Sequence, residues 1–290
     1  MNKILVVGDS MLDRRLDCAV KRLSPEGYVP VHSIEHEQCY AGGAANVALN
    51  IKAMGGHVTL LTALGPSTDL QRILVDADLD YVTIGGVDHT TEKRRYYAGG
   101  VVRHRADFDH VLNDQEANAI LNKYLGMVNL YDVVVFSDYG KGALMQAEPM
   151  LEAVRLRGHH TIVDPKGKDW SAYEGATIIK CNEHEFNAVA DQYNTMAHML
   201  ECLAIRDLIC TCGERGAWHA TRQGSAMVMP HPVAAVDPTG AGDSYLAALA
   251  TWADMDCALR RASIAGALAT THRGTAVITR EEILNAEAAA

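Results

Sequence analysis

Apolar residues in this chain fall in short, unbroken runs separated by longer helical stretches. Ile4-Leu5-Val6-Val7 is the first run, and it stops at Gly8-Asp9. Runs of this kind predict strands buried on both faces, as in a parallel sheet. The pattern recurs at Val58 to Leu64, Val133 to Phe136, Thr161 to Val163, Thr177 to Ile179 and Asp207 to Thr211. Helical sequence lies between them, as at Leu70 to Val75 and in the stretch leading to Arg157. Repeated strand-then-helix units predict an α/β fold, a parallel sheet with helices on both faces. Polar residues recur where the runs end: Asp9 and Asp13, Ser137-Asp138-Tyr139, Asp164-Pro165-Lys166, Asn182 to Glu185, and Gly213. Open α/β sheets bind ligands at those strand ends.

Two segments break the rhythm, residues 14–40 and 90–109. Val29 to Ile34 alternates and carries a proline, which suggests an edge strand. Arg94 to Asp109 is charged and β-prone, with Gly99-Gly100 as a hairpin turn. Both are expected to form a small β-sheet lid on a single domain spanning residues 1–290. Its edges invite pairing between two copies, so a homodimer through the lid is expected.

Candidate chemistry concentrates at Val236-Asp237-Pro238-Thr239-Gly240-Ala241-Gly242-Asp243. Asp237-Pro238 is expected to end a preceding strand, because the residue before proline is pushed out of the helical region. Gly240 and Gly242 let backbone amides converge. The alanine-rich helix read at Ala247 to Trp252 adds the positive end of its dipole. That arrangement holds an anion, phosphate above all. Asp243 would repel the anion, so it needs another role. Taking a proton from an attacking hydroxyl is the simplest. The plainer alternative is a capped helix start. A second glycine pair, Gly42-Gly43, opens a helix on which Asn46 and Asn50 share a face, closed by Gly55-Gly56.

Composition narrows the function. A net charge of -10 over 290 residues argues against non-specific nucleic-acid binding. Seven cysteines in irregular spacing read as reduced thiols of a cytoplasmic protein. No run approaches the roughly 18 apolar residues of a membrane span, and the N-terminal strand lacks the apolar core of a signal peptide. No Walker A string occurs, and no Gly-x-Gly-x-x-Gly opens a helix after the first strand.

Asp-x-Thr-Gly-Ala-Gly-Asp at 237–243, with Gly-Gly-x-x-Asn-x-Ala at 42–48, resembles the ribokinase (PfkB-type) family of sugar kinases. The resemblance implies a ribokinase-like sheet with a β lid. It makes Asp243 the base and the Gly240, Ala241 and Gly242 amides the anion hole. Asn182 and Glu185 match the family's Asn-x-x-Glu element, with Glu185 placing Mg²⁺ through water. Thr211, Gly213 and Gly216 match the nucleotide turn, joined by Asp237 and Thr239. Asp13, Gly42, Gly43 and Asn46 are assigned to the sugar. ATP, Mg²⁺ and a monovalent cation are the implied small partners.

Gly8 to Asp13, Leu23 to Glu26, Ser137 to Gly142 and Val163 to Gly167 are further similar to the heptose 7-phosphate kinases of ADP-heptose biosynthesis. That likeness implies transfer to the anomeric hydroxyl of D-glycero-D-manno-heptose 7-phosphate. Lys93, Arg95, Arg105, Lys141 and Lys166 fit a substrate that already carries phosphate. Ser263 and Gly99 depart from the pattern, at the adenine and the sugar respectively. A kinase for another sugar, sugar phosphate or nucleoside stays open. So does a sugar-phosphate-binding regulator on a kinase scaffold.

Overall fold

The computed structural model of the chain describes residues 2–66, 68–155 and 157–289. In chain order the strands are β1 Lys3–Gly8, β2 Ser10–Leu23, β3 Pro30–Gly43, β4 His57–Ala63, β5 Asp80–Ile84, β6 Thr91–Ala98, β7 Val101–Phe108, β8 Val133–Ser137, β9 His160–Asp164, β10 Ile178–Asn182, β11 Asp207–Thr211, β12 Ala217–Thr221 and β13 Gly224–Val228. The α-helices are α1 Ala44–Ala53, α2 Thr68–Asp76, α3 Asp114–Met127, α4 Ala147–Arg155, α5 Glu183–Ala190, α6 Met196–Cys202, α7 Ala241–Thr251, α8 Met255–Thr270 and α9 Arg280–Ala289.

The large sheet runs β13-β12-β11-β10-β9-β8-β1-β4-β5. From β11 to β5 all neighbours are parallel, and β12 and β13 add an antiparallel edge. The apolar runs are explained by burial on both faces. Ile4 and Val6 of β1 pack on one side with α1, α7 and α8 residues, Leu5 and Val7 on the other with Tyr124, Phe136 and Met150. The fold is therefore the α/β arrangement that the strand-helix rhythm predicts.

A second sheet, β3-β2-β6-β7, stands on the first. Its strands are longer than the charged segments suggest. β2 starts at Ser10 and β3 ends at Gly43, so Asp13 and Gly42 lie within strands. Gly99 and Gly100 turn β6 into β7 at φ 63° and 78°. Two expectations are corrected. No strand precedes Asp237, because residues 229–236 are irregular. The following helix begins at Ala241 rather than Ala247, which puts Asp243 in its first turn. β5 and the antiparallel edge pair escape the apolar-run pattern because their residues are only partly buried.

Candidate active site

Alternation along the strands sorts the small sheet's side chains. Asp13 pairs across with Lys93 and Tyr40, Arg15 with Arg95, Arg95 with Arg105, and Lys93 with Asp107. Register partners share a face. One face therefore carries Asp13, Arg15, Lys93, Arg95, Arg105 and Asp107. Lys93 Nζ stands 5.5 Å from the Tyr139 ring centre, which turns this face toward the strand ends of the large sheet. Burial lowers the Lys93 pKa, with Asp13 opposing, and no ion pair holds Lys93 among the described residues. The other cations are paired: Arg95 with Asp13, Arg105 with Asp107, Lys141 with Asp109 and Lys166 with Glu185. Arg15, which sequence reading passed over, is buried against Asp17 and the Tyr97 ring.

α7 supplies the anion cradle. Gly240 precedes it at φ 80°, a left-handed conformation in which a Cβ would also press within 3.1 Å of Asn46 Nδ2 and Thr275 Cγ2. The amides of Gly240, Gly242 and Asp243 have no protein acceptor among the described residues. The Ala241 amide, expected in the anion hole, instead donates to the Pro238 carbonyl at 3.3 Å, so the Asp243 amide takes its place in the cradle. Asp237 fixes the loop below them by accepting from the Thr239 and Gly274 amides, each at 3.0 Å. A Cβ on Gly242 would lie 3.0 Å from Lys180 Nζ, so a buried ammonium backs the cradle. Lys180 is a residue the sequence reading missed. It donates to Asp164 Oδ2 at 2.8 Å. Burial would lower the Lys180 pKa, and the Asp164 charge and hydrogen bond outweigh it. Burial pushes Asp164 up to about 6. Convergent amides and a fixed cation suit phosphate oxygens.

Asp243 is 4% exposed, and both its oxygens are engaged. Asn46 Nδ2 donates to Oδ2 at 2.8 Å, and the Tyr139 hydroxyl donates to Oδ1. Asn46 is held in turn by Asn50. The Asn50 amide nitrogen donates to the Asn46 carbonyls, and its oxygen accepts from Ser244 Oγ and the Ile278 amide. Burial raises the Asp243 pKa above the ordinary carboxylate value. The Asn46 and Tyr139 hydrogen bonds and Lys180 oppose that rise. Tyr139 itself sits on a loop tied down by Asp9, which accepts from the amides of Tyr139, Lys141 and Ala143 at 2.9 Å. Asp9 is thus spent on the backbone.

Asn182 and Glu185 form a capping box at the start of α5. Glu185 Oε2 accepts from the Asn182 amide at 3.0 Å, and Oε1 from Lys166 Nζ at 2.8 Å. No cluster of three His, Cys, Asp or Glu that would grip a metal occurs among the described residues. Thr211 Oγ1 donates to the Cys181 carbonyl, and Gly213 and Gly216 make the tight turn after β11 at φ 58° and 92°. Ser263 Oγ donates to the Met229 carbonyl. The cradle, Asp243 and Lys180 thus stand together. Arg105 lies on the small-sheet face that carries Lys93 and Arg95, whereas Gly99 is at the β6–β7 turn and Ser263 is on α8 against Met229.

The sequence matches the pfkB family of carbohydrate kinases over residues 1–282. The chain belongs to that family. This kinase is also similar to proteins named bifunctional protein HldE. It is 34% identical to the one from Shewanella amazonensis and 34% identical to the one from Hydrogenovibrio crunogenus, each alignment covering 98% of this chain. It spans 63% of the length of each. Among solved structures, Escherichia coli phosphofructokinase-2 in complex with potassium matches with TM-score 0.80 at 20% identity, over 100% of this chain and 99% of the other. Thermotoga maritima ribokinase matches with TM-score 0.78 at 17% identity, over 99% and 100%. The kinase has the ribokinase-like fold and acts on a carbohydrate.

Proposed function

We propose that this sugar kinase transfers the γ-phosphoryl group of ATP to the anomeric hydroxyl of D-glycero-D-manno-heptose 7-phosphate, giving the 1,7-bisphosphate. The observation that carries the proposal is a buried carboxylate, Asp243, set in the first turn of a helix whose free amides form an anion cradle. Asp243 takes the hydroxyl proton. The acceptor oxygen bonds to phosphorus as the bond to the bridging oxygen breaks, and the electron pair leaves with ADP. The Gly240, Gly242 and Asp243 amides and Lys180 receive the charge that builds on the transferring group.

The residues present fit a Mg²⁺ ion carried mainly by phosphate and water, with Glu185 reaching it through water. Such an ion neutralises phosphate charge. Glu185 Oε1 also accepts from Lys166 Nζ, and a carboxylate has further lone pairs for a water. The turn at Thr211, Gly213 and Gly216 is assigned to the nucleotide.

The relatives named HldE support the heptose reading. So does the cationic face of the small sheet. Lys93, Arg95 and Arg105 lie on the side that turns toward the cleft, where a phosphate at the far end of the sugar would meet them. We assign that sheet the role of a lid that excludes water. We assign exposed apolar residues of the two segments that build it, Val29, Ile34, Val101 and Val102, to a homodimer contact. Light scattering of the purified protein tests the dimer.

The Asp243→Asn variant tests the base. It should keep the fold and lose about 10²–10⁴-fold in kcat. Near wild-type turnover would remove Asp243 from the mechanism.

A further inference from the structure

The proton acceptor of this site is not free. An ionised carboxylate has room for several donors, and the Asp243 oxygens already serve Asn46 on Oδ2 and Tyr139 on Oδ1. The two partners differ. Asn46 belongs to α1 and is locked by Asn50, which has its own bonds to Ser244, Ala276 and Ile278. Tyr139 lies on the loop after β8, and its phenol is joined to Asp243 alone among the described side chains. The phenol points from the cleft side, under Lys93 of the small sheet. It takes one lone pair of Oδ1 on that side.

We infer that Tyr139 is a guard on the base. It donates to Asp243 Oδ1 until the sugar hydroxyl displaces it, so water alone is not activated. The inference rests on the reading of Asp243 as the base. The danger it answers is hydrolysis. If water takes the sugar's place, its oxygen bonds to the γ-phosphorus, the bridging bond breaks, ADP leaves with the electron pair, and the water proton passes to Asp243. Both reactions use the same carboxylate oxygen. A donor that a well-held polyol displaces and a mobile water does not will separate them. Tyr139 suits this use. Its backbone is fixed by Asp9 at 2.9 Å, so the phenol returns to one place. Burial and the adjacent Asp243 raise its own pKa, which keeps the proton on the phenol.

The same hydrogen bond tunes Asp243. Lys180 on β10 and the Tyr139 phenol lower its pKa, while Asp13 on β2 and burial raise it; Asp164 on β9 is the other carboxyl close by. Loss of one hydrogen bond to a charged group should move the acid limb of kcat/KM upward by about one to two pH units. A residue that only fills space would not move it.

The test compares Tyr139→Phe, Asp243→Asn and the double variant, measuring ADP release without sugar and phosphoryl transfer with heptose 7-phosphate. Tyr139→Phe should raise sugar-free ATP hydrolysis about tenfold, part of the roughly 10²-fold that a positioned base supplies. The double variant should lose that gain. Unchanged hydrolysis and an unmoved acid limb in Tyr139→Phe, with Asp243→Asn inactive, would overturn the guard and leave the base in place. A gain that survives in the double variant would overturn it as well. Transfer retained by Asp243→Asn would instead sink the reading of the base. If Tyr139→Phe does not fold, 3-fluorotyrosine at position 139 keeps the shape and strengthens the donor. The acid limb should then move to lower pH, and an unmoved limb would overturn the inference.

Discussion

Replacing Lys180 by methionine tests the charge balance under the anion cradle. The Lys180 side chain is 3% exposed, and its Nζ lies 2.8 Å from Asp164 Oδ2. Methionine keeps the apolar stem and removes the charge. Asp164 is then a buried carboxylate without its cation, and breaking a buried pair from one side costs about 3–5 kcal/mol. The cost depends on pH. Burial lifts the Asp164 pKa from 3.8 to about 6 even with Lys180 opposing. The folded state therefore holds this proton more tightly than the unfolded state. The associated stability is fully present below pH 3.8 and is lost as the pH rises through about 6. In the parent protein that window corresponds to about 3 kcal/mol, at about 1.4 kcal/mol per pKa unit. Without Lys180 the folded pKa climbs further and the loss continues to higher pH. Urea unfolding near pH 8, about two pH units above the parent pKa of about 6, should show a penalty of about 3 kcal/mol. Near pH 5, where Asp164 carries its proton in both proteins, roughly 1 kcal/mol or less should remain. Equal penalties at the two pH values would refute the claim that Lys180 serves Asp164. The same variant should lose about 10²-fold in kcat, as when one donor is removed from an oxyanion site.

Two further substitutions separate metal from sugar. Glu185→Gln should raise the Mg²⁺ concentration needed for half-maximal rate and leave KM for the sugar nearly unchanged. An unaltered Mg²⁺ titration would return Glu185 to the capping of α5 alone. Arg105→Ala should raise KM for the phosphorylated sugar about tenfold, the value of one hydrogen bond to a charged group, with KM for ATP unchanged. A constant sugar KM would leave Arg105 as the partner of Asp107 and nothing more.

The central strands were readable because burial on both faces leaves runs such as Val133 to Phe136, and a run survives any choice of neighbours. The edge strands were not. β5 and β13 are partly exposed, so their sequences carry polar residues that resemble loop. At the site, the glycines and Asp243 announced themselves because an anion cradle requires that backbone. Lys180 did not, since a lone lysine inside Ile178-Ile179-Lys180-Cys181 reads as an interruption of a strand. Its signal was position: a charge on a buried strand, two residues before Asn182. Tyr139 was visible at the strand end Ser137-Asp138-Tyr139, but nothing in the sequence tells a packing aromatic from one that donates. The register of the small sheet, which puts Lys93, Arg95 and Arg105 on one face, depends on the pairing of strands far apart in sequence. Periodicity within one strand cannot supply it.

The most direct measurement is ADP formation with ATP and Mg²⁺ in the presence of D-glycero-D-manno-heptose 7-phosphate, the same heptose without phosphate, and fructose 6-phosphate. Phosphorus NMR of the product locates the new ester. The heptose 7-phosphate should give a kcat/KM at least about tenfold above that of free heptose, because each charged hydrogen bond to the phosphate contributes on the order of 1.5–3 kcal/mol. The new ester should appear at the anomeric oxygen. Equal kcat/KM for the heptose with and without phosphate, or an ester at another carbon, would contradict the assignment of this kinase to a phosphorylated heptose.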